Sequence, residues 1–131
     1  MGAYEHALKY AQERLQFGKP IGSFQLVQDL LARMLANVTA CQCMVARTAQ
    51  LQAEGKLGDH HAALAKAFTT ARMRETVAWA REMLRRQRHR PRLRRRALLR
   101  AMPEALYSYE GTFQMQNLIV GKAATGFSAF V

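Results

Sequence analysis

The sequence has few cysteines, few prolines and no long apolar run, and each shortage excludes a class of protein. Two cysteines and three prolines among 131 residues rule out a disulfide framework and a collagen-like or low-complexity chain. No run of about 18 apolar residues is present to span a membrane. At the N-terminus, Glu5, His6 and Lys9 interrupt the apolar stretch that a secretion signal needs. We therefore expect a protein of the reducing cytoplasm, with Cys41 and Cys43 as free thiols.

The positive charge is concentrated in one segment. The chain carries 20 Lys and Arg residues against 9 Asp and Glu residues, a formal net charge of +11. Nine arginines lie between residues 85 and 100, and without them 11 basic residues face 9 acidic ones. The Arg85–Arg100 segment has two direct interpretations. It is either a basic helical module that binds nucleic acid or an anionic surface through counterion release, or a solvated, unstructured run of charge.

Apolar residues recur at helical spacing along most of the chain. The pattern predicts helices over Ala3 to Leu15, over a long stretch that ends near Gly55, and from His60 toward Leu84. A short helix follows near the C-terminus and ends at Gly121 or Gly126. The residues expected to cap the second, third and last helices are Ser23, Asp59 and Thr112. Long helices joined by short turns predict an all-α, up-down four-helix bundle, disrupted around residues 85–103.

The same spacing predicts which side of each helix is buried. On the second helix the apolar stripe consists of Val27, Leu30, Leu31, Met34, Leu35, Val38, Cys41, Val45 and Leu51. On the third helix it consists of Leu64, Ala67, Phe68, Ala71, Val77 and Leu84, and on the last helix of Met115, Leu118 and Ile119.

Two clusters contain metal-binding residue types but have simpler structural explanations. Cys41 and Cys43 are two residues apart, which places their thiols on different faces of a helix, so we expect packed thiols. Asp59, His60 and His61 stand at a predicted helix start, where an aspartate is a common cap. We therefore expect neither cluster to bind a metal.

The segment from Tyr107 to Thr112 has the composition of a catalytic loop. Glu110 lies between Tyr109 and Gly111, in a predicted connector over residues 105–111. Burial against the aromatic ring would prepare this carboxylate to accept a proton. Gly111 would let a substrate approach the backbone closely. A loop that merely caps the last helix is the alternative for this hexapeptide taken alone.

Two further stretches give this loop a family context. Residues 2–21 read Gly-Ala-Tyr-Glu-His-Ala-Leu-Lys-Tyr-Ala-Gln-Glu-Arg-Leu-Gln-Phe-Gly-Lys-Pro-Ile, and Gln25 follows shortly after. Together with Tyr109-Glu110-Gly111-Thr112 downstream, they resemble the C-terminal helical domain of acyl-CoA dehydrogenases. The tail from Leu118 to Phe127 most resembles the glutaryl-CoA dehydrogenase branch of that family.

The resemblance implies a role for each residue of these motifs. Glu110 would remove the α-proton of an acyl-CoA thioester, glutaryl-CoA in this branch, with Tyr109 and Gly111 against the substrate. FAD would take the β-hydride, and the γ-carboxylate would leave as carbon dioxide to give crotonyl-CoA. The residues that would contact FAD are Thr112 and Gln114, together with Arg14 and Gln25, which would reach the FAD of a neighbouring subunit. Family members are tetramers, and their electron acceptor is an electron-transfer flavoprotein.

The resemblance also implies that the chain is a fragment. Family members carry an N-terminal helical domain and a middle β-domain ahead of this one, and those domains supply most of the acyl pocket. Residues 1–131 would form the C-terminal domain alone. We expect such a fragment to be inactive by itself and to hold FAD weakly.

The Arg85–Arg100 segment stands where the family has a Gly-Gly-Asn-Gly-Ile loop. The codons GGC GGC AAC GGC ATC, read with one extra C in front, become CGG CGG CAA CGG CAT. These encode Arg-Arg-Gln-Arg-His, the residues found at positions 85–89. Undoing the shift through residue 100 returns a family-like continuation. We therefore interpret residues 85–103 as translated out of frame, which makes their charge an accident and not a binding surface.

Overall fold

Helices dominate the computed structural model, which describes residues 1–84 and 102–129. They are α1 (Gly2–Glu13), α2 (Gln25–Ala53), α3 (Asp59–Met83) and α4 (Phe113–Thr125), and residues 102–108 are helical as well. Two-residue strands β1 (Leu15–Gln16) and β2 (Lys19–Pro20) pair antiparallel between α1 and α2, and a 3₁₀ turn follows at Ile21–Ser23. The predicted all-α fold is confirmed. The disruption predicted at residues 85–103 lies outside the described residues, except for residues 102 and 103.

The core forms where α1, α2 and α3 meet. Ala7, Met34 and Ala80, one from each helix, are fully or almost fully buried. Two of the three are alanines, and small side chains at a helix contact let the helix axes approach closely. Larger side chains enclose this cluster, namely Tyr4, Leu31, Trp79 and Met83. The α4 helix also packs against α3, so α3 supports both the core and the segment before α4.

A polar contact fixes α2 on α3. The Asn37 side-chain amide donates to a Glu75 carboxylate oxygen at 3.1 Å and to the Thr76 hydroxyl at 3.4 Å. Arg72 forms an ion pair with the same Glu75 at 2.9 Å. Because Thr76 is buried, leaving its hydroxyl without a partner would be costly, and its own bond to the Arg72 carbonyl at 2.9 Å satisfies it further.

Several expected ends of helices are wrong. Phe24, not Ser23, is the N-cap of α2, because the Ser23 hydroxyl donates backward to the Pro20 carbonyl at 2.7 Å. Asp59 is the first residue of α3, and Gly58 occupies the cap. Thr112 is confirmed as the cap of α4, where its hydroxyl accepts from the Met115 backbone N–H at 3.3 Å.

Three further predictions concern the end of α4, the connector before it and the buried stripes of the helices. Gly126, with φ of 78°, ends α4, so the second of the two predicted ends is correct. The predicted connector over residues 105–111 is wrong in extent, because residues 102–108 continue as helix and leave a shorter loop. Four residues of the predicted buried stripes are exposed, because each helix buries a narrower face than its stripe; these are Leu35, Val45, Leu64 and Met115.

Candidate active site

The loop from Tyr109 to Thr112, here called the Glu110 loop, carries the predicted catalytic carboxylate. It links the helical residues 102–108 to α4. Glu110 has φ of 51° and Gly111 has φ of 93°, so both lie in the left-handed region, which is unusual for glutamate. The Glu110 side chain is exposed, and the expected burial against Tyr109 is wrong. Tyr109 itself is 48% exposed.

One lysine of α3 organises this loop. The Lys66 Nζ donates to the backbone carbonyls of Glu110 at 2.9 Å and Gly111 at 2.7 Å, and also to that of Tyr109. The same ammonium lies 5.5 Å from the centre of the Tyr109 ring. Three consecutive carbonyl oxygens thus converge on one positive charge. The role of Lys66 was not predicted from the sequence, because 43 to 45 residues separate it from its partners.

A glutamine of α4 holds the loop from the opposite end. Gln116 is only 8% exposed, and its side-chain amide donates to the Glu110 and Gly111 carbonyls, both at 3.3 Å. A Cβ on Gly111 would lie 2.6 Å from the Gln116 Nε2 and would push that amide aside, and the φ of 93° also favours glycine at this position. Gln116 was missed because the predicted buried side of the last helix included Met115, which is exposed, and did not include Gln116.

Aromatic and charged contacts fix the flanks of the loop. The rings of Tyr107 and Phe113, on either side of it, stack with centroids 5.3 Å apart. The Arg74 guanidinium of α3 lies 4.2 Å from the Tyr107 ring centre and pairs with Glu104 at 3.0 Å. The helices before and after the loop are therefore tied to each other and to α3.

The four predicted FAD-contacting residues lie in two places. Thr112 and Gln114 are exposed at the start of α4, next to the Glu110 loop. Arg14 is half-buried at the end of α1, where its carbonyl accepts from the Ile21 N–H at 2.8 Å, and Gln25 is exposed at the start of α2. An arginine, two amides and a hydroxyl are donors and acceptors that suit a diphosphate and a flavin ring, so these residues fit the cofactor.

Of the two clusters with metal-binding residue types, the histidine cluster contributes to a helix start, and the prediction of packed thiols is wrong for Cys43. His61 uses its Nδ1 to accept from the Gly58 backbone N–H at 3.0 Å, which belongs to the start of α3. Cys41 is half-buried and Cys43 is exposed, both as free thiols. Burial raises the pKa of the Cys41 thiol, although nearby Arg72 lowers it in part. Cys41 and Arg72 border a cavity of about 410 Å³ between α2 and α3, and no residue of the Glu110 loop lines it.

Comparison with known proteins identifies the family. The acyl-CoA dehydrogenase C-terminal domain model matches residues 1–125. The chain therefore belongs to the acyl-CoA dehydrogenase family. None of the helices in the described parts of the chain is long and apolar enough to cross a membrane.

Several of its relatives are glutaryl-CoA dehydrogenases. The chain is 45% identical to that of Desulfococcus multivorans over 53 residues, which are 40% of this chain and 14% of that protein. Its fold is similar to the crystal structure of glutaryl-CoA dehydrogenase from Mycobacterium smegmatis, with a TM-score of 0.89 and 31% identity. That match covers 98% of this chain and 33% of the other. Butyryl-CoA dehydrogenase from Megasphaera elsdenii is similar too, with a TM-score of 0.84, 27% identity and coverage of 93% and 32%. The chain thus spans about a third of the length of its solved relatives.

Proposed function

We propose that the chain is the C-terminal domain of an FAD-dependent acyl-CoA dehydrogenase that acts on glutaryl-CoA. The observation that carries the proposal is the position of Glu110, exposed on a loop that α3 and α4 hold, in a chain whose family match covers residues 1–125. Similarity to two glutaryl-CoA dehydrogenases supports the substrate. A related structure of that enzyme contains glutaryl-CoA, and another contains FADH2.

The proposed chemistry assigns proton transfer to Glu110. A carboxylate oxygen of Glu110 takes the α-proton of the thioester, while the close backbone at Gly111 and the Tyr109 ring position the acyl group. FAD, when bound, accepts the hydride from the β-carbon. Loss of carbon dioxide from the γ-carboxylate leaves an electron pair on the γ-carbon, and the proton that Glu110 then holds neutralises it. The products are crotonyl-CoA, carbon dioxide and a reduced cofactor.

The cofactor and partners follow from the same proposal. Thr112 and Gln114 would hold the FAD of their own subunit, while Arg14 and Gln25 would hold that of a neighbouring subunit in a tetramer. Arg14 would bind the phosphates through charge-assisted hydrogen bonds. The electron acceptor would be an electron-transfer flavoprotein. A solved structure of the electron transferring flavoprotein of Acidaminococcus fermentans is among the similar structures, with 28% identity and a TM-score of 0.82.

The test is a chimeric enzyme. In the Mycobacterium smegmatis glutaryl-CoA dehydrogenase, this chain replaces the matching third, and residues 85–103 keep that enzyme's own sequence. Anaerobic addition of glutaryl-CoA should bleach the flavin. Glu110→Gln should slow bleaching by about 10²- to 10⁴-fold without loss of FAD, because an amide is nearly isosteric with the carboxylate but accepts no proton at neutral pH.

The matched control is Glu5→Gln, which removes an exposed carboxylate from α1 and should bleach like the parent. If Glu110→Gln bleaches as fast as the parent, Glu110 is not the base. Because the other two domains supply most of the acyl pocket, this chimera tests the base and not the substrate. In an enzyme that joins this chain to N-terminal and middle domains from its own source, bleaching with butyryl-CoA but not with glutaryl-CoA would keep the family role and overturn the substrate assignment.

The 131-residue chain alone should purify without stoichiometric FAD, since the proposed flavin contacts come from more than this domain. The absorbance of the purified chain near the flavin bands, against its protein concentration, measures this directly. A yellow chain with one FAD per molecule would contradict the expectation.

Residues 85–103 remain, in our proposal, a segment translated out of frame. The nine arginines and the codon arithmetic support it. The nucleotide sequence of the gene should show one extra base before codon 85 and a compensating change near codons 101–103. Codons that cannot be shifted into a family-like segment would refute it and revive the nucleic-acid alternative, which salt-dependent DNA binding would then test.

A further inference from the structure

We infer that Lys66 is a positioning residue, whose ammonium holds the Glu110 loop in the conformation that presents the carboxylate. The inference rests on the proposed role of Glu110. It starts from a match in number: an ammonium has three N–H donors, and three consecutive carbonyls, those of Tyr109, Glu110 and Gly111, accept them. Charge-assisted hydrogen bonds of this kind are stronger than neutral ones.

The loop needs such a cation. Three carbonyl oxygens that converge on one point repel one another, because each is the negative end of a peptide dipole. The positive charge of Lys66 converts that repulsion into attraction. The Gln116 amide reaches two of the same oxygens but carries no charge. Lys66 is therefore the group that makes the convergent arrangement favourable.

The backbone of Glu110 supplies the second argument. Its φ of 51° is unfavourable for a residue with a side chain, and such strain persists only where surrounding contacts impose it. Glycine or asparagine would adopt this conformation more easily, but neither can act as a base. A glutamate in this position thus requires outside support, and Lys66 and Gln116 provide it from two different helices.

The aliphatic part of the Lys66 side chain lies on a well-packed helix, which fixes the position of its ammonium. Lys66 lies on α3 between the buried residues Ala63 and Ala67 and is itself half-buried. The helix packs against α1, α2 and α4. The position of the ammonium is therefore set by the best-packed helix of the domain, and the loop follows it.

The first experiment measures amide hydrogen exchange in the 131-residue chain. Lys66→Met keeps the length and apolar stem of the side chain but removes the charge and the donors. Exchange at the hydrogen-bonded amides that flank the loop, those of Tyr109, Met115 and Gln116, should become about 10-fold faster or more, while α1 and α2 keep their protection. Lys66→Arg should recover part of the protection, since a guanidinium is charged but spreads its donors over a plane. Lys56→Met, which removes an exposed lysine paired with Glu54, is the matched control.

The second experiment measures flavin bleaching in the chimeric holoenzyme under single-turnover conditions. Lys66→Met should lower the rate constant by about 10- to 10²-fold, because small displacements of a catalytic group have effects of that size. The amplitude and the FAD content should stay unchanged, and Lys66→Arg should fall between the parent and Lys66→Met. A purely structural defect would lower the amplitude and leave the rate constant of the surviving enzyme unchanged.

The outcomes separate this inference from the proposed function. Unchanged exchange at the Tyr109, Met115 and Gln116 amides, or a bleaching defect in amplitude alone, would overturn the role of Lys66 while Glu110 remains the base. Parental bleaching by Glu110→Gln would overturn the proposed function and with it the catalytic purpose of the contact, whatever the exchange shows.

Discussion

The hairpin turn between α1 and α2 and the Glu110 loop contain the same unusual backbone but are held in different ways. Phe17 and Gly18 have φ of 51° and 75°, and Glu110 and Gly111 have φ of 51° and 93°. The hairpin depends on its own strands, which pair Leu15 with Pro20 and Gln16 with Lys19. Side chains from α3 and from the body of α4 hold the Glu110 loop. The comparison shows that one local conformation can have a local cause or a distant one.

Substitution of the glycine in each turn, Gly18 in the hairpin and Gly111 in the Glu110 loop, should give the largest difference in the free energy of unfolding. Gly111→Ala forces a Cβ to within 2.6 Å of the Gln116 Nε2, whereas a Cβ on Gly18 has open space around it. Both changes incur a left-handed strain of about 1–2 kcal/mol. Gly111→Ala should also disrupt the Gln116 hydrogen bonds, for a further loss of about 1–2 kcal/mol in the free energy of unfolding. Urea unfolding of the two variants measures the difference, and equal losses would remove the distinction between the two turns.

A substitution of Gln116 tests directly whether contacts from outside the Glu110 loop hold its conformation. Gln116→Met keeps the approximate size of a buried side chain but removes both donors to the loop. The free energy of unfolding should fall by about 1–2 kcal/mol, while Gln12→Met, at an exposed position of α1, should change it little. A loss of the same size from both variants would mean that the loop contacts are not what Gln116 contributes.

Substitution of the residue before each glycine, Phe17 or Glu110, should raise the free energy of unfolding instead of lowering it. Asparagine adopts left-handed backbone more readily than other residues with side chains. Glu110→Asn should raise the free energy of unfolding by about 0.5–1 kcal/mol, and Phe17→Asn by a similar or smaller amount, since strain is relieved in both. Only Glu110→Asn should abolish flavin bleaching in the chimera. A loss of stability in Glu110→Asn would show that the carboxylate itself supports the loop.

The helices were predictable from the sequence because their causes are local. Apolar spacing located α1, α2 and α3, and the hydroxyl of Thr112 was correctly assigned as a cap. Ser23 was assigned wrongly, because its hydroxyl had a second acceptor, the Pro20 carbonyl, that a helix pattern does not show. The family motif identified Glu110, but the exposure of its side chain was not predicted.

The support of the site was not predictable for a different reason. Lys66 and Glu110 are 44 residues apart in the sequence, and no periodic pattern relates a lysine in one helix to carbonyls in a later loop. Backbone carbonyls exist at every residue, so sequence alone gives no sign of which of them converge. Only the packing of α4 on α3 brings them to the ammonium.

A substitution at the exposed tip of the hairpin should have the smallest effect on stability, and it tests whether the hairpin takes part in self-association. Phe17 is 90% exposed, and Leu15 and Leu26 nearby along the chain are exposed as well. Apolar surface of this kind favours association, so the 131-residue chain should self-associate. Phe17→Ser should weaken the association seen by sedimentation while it changes the free energy of unfolding by less than about 0.5 kcal/mol. A monomeric parent chain at high concentration would contradict this.

The most direct test of the account is α-proton exchange in the chimeric enzyme. The flavin is first reduced chemically, so that it accepts no hydride, and butyryl-CoA is then incubated with the enzyme in D₂O. Nuclear magnetic resonance follows replacement of the α-protons by deuterium. The account predicts exchange in the parent and exchange slower by about 10²-fold or more in Glu110→Gln, with FAD retained in both. Equal exchange in the two proteins would contradict the assignment of Glu110 as the base.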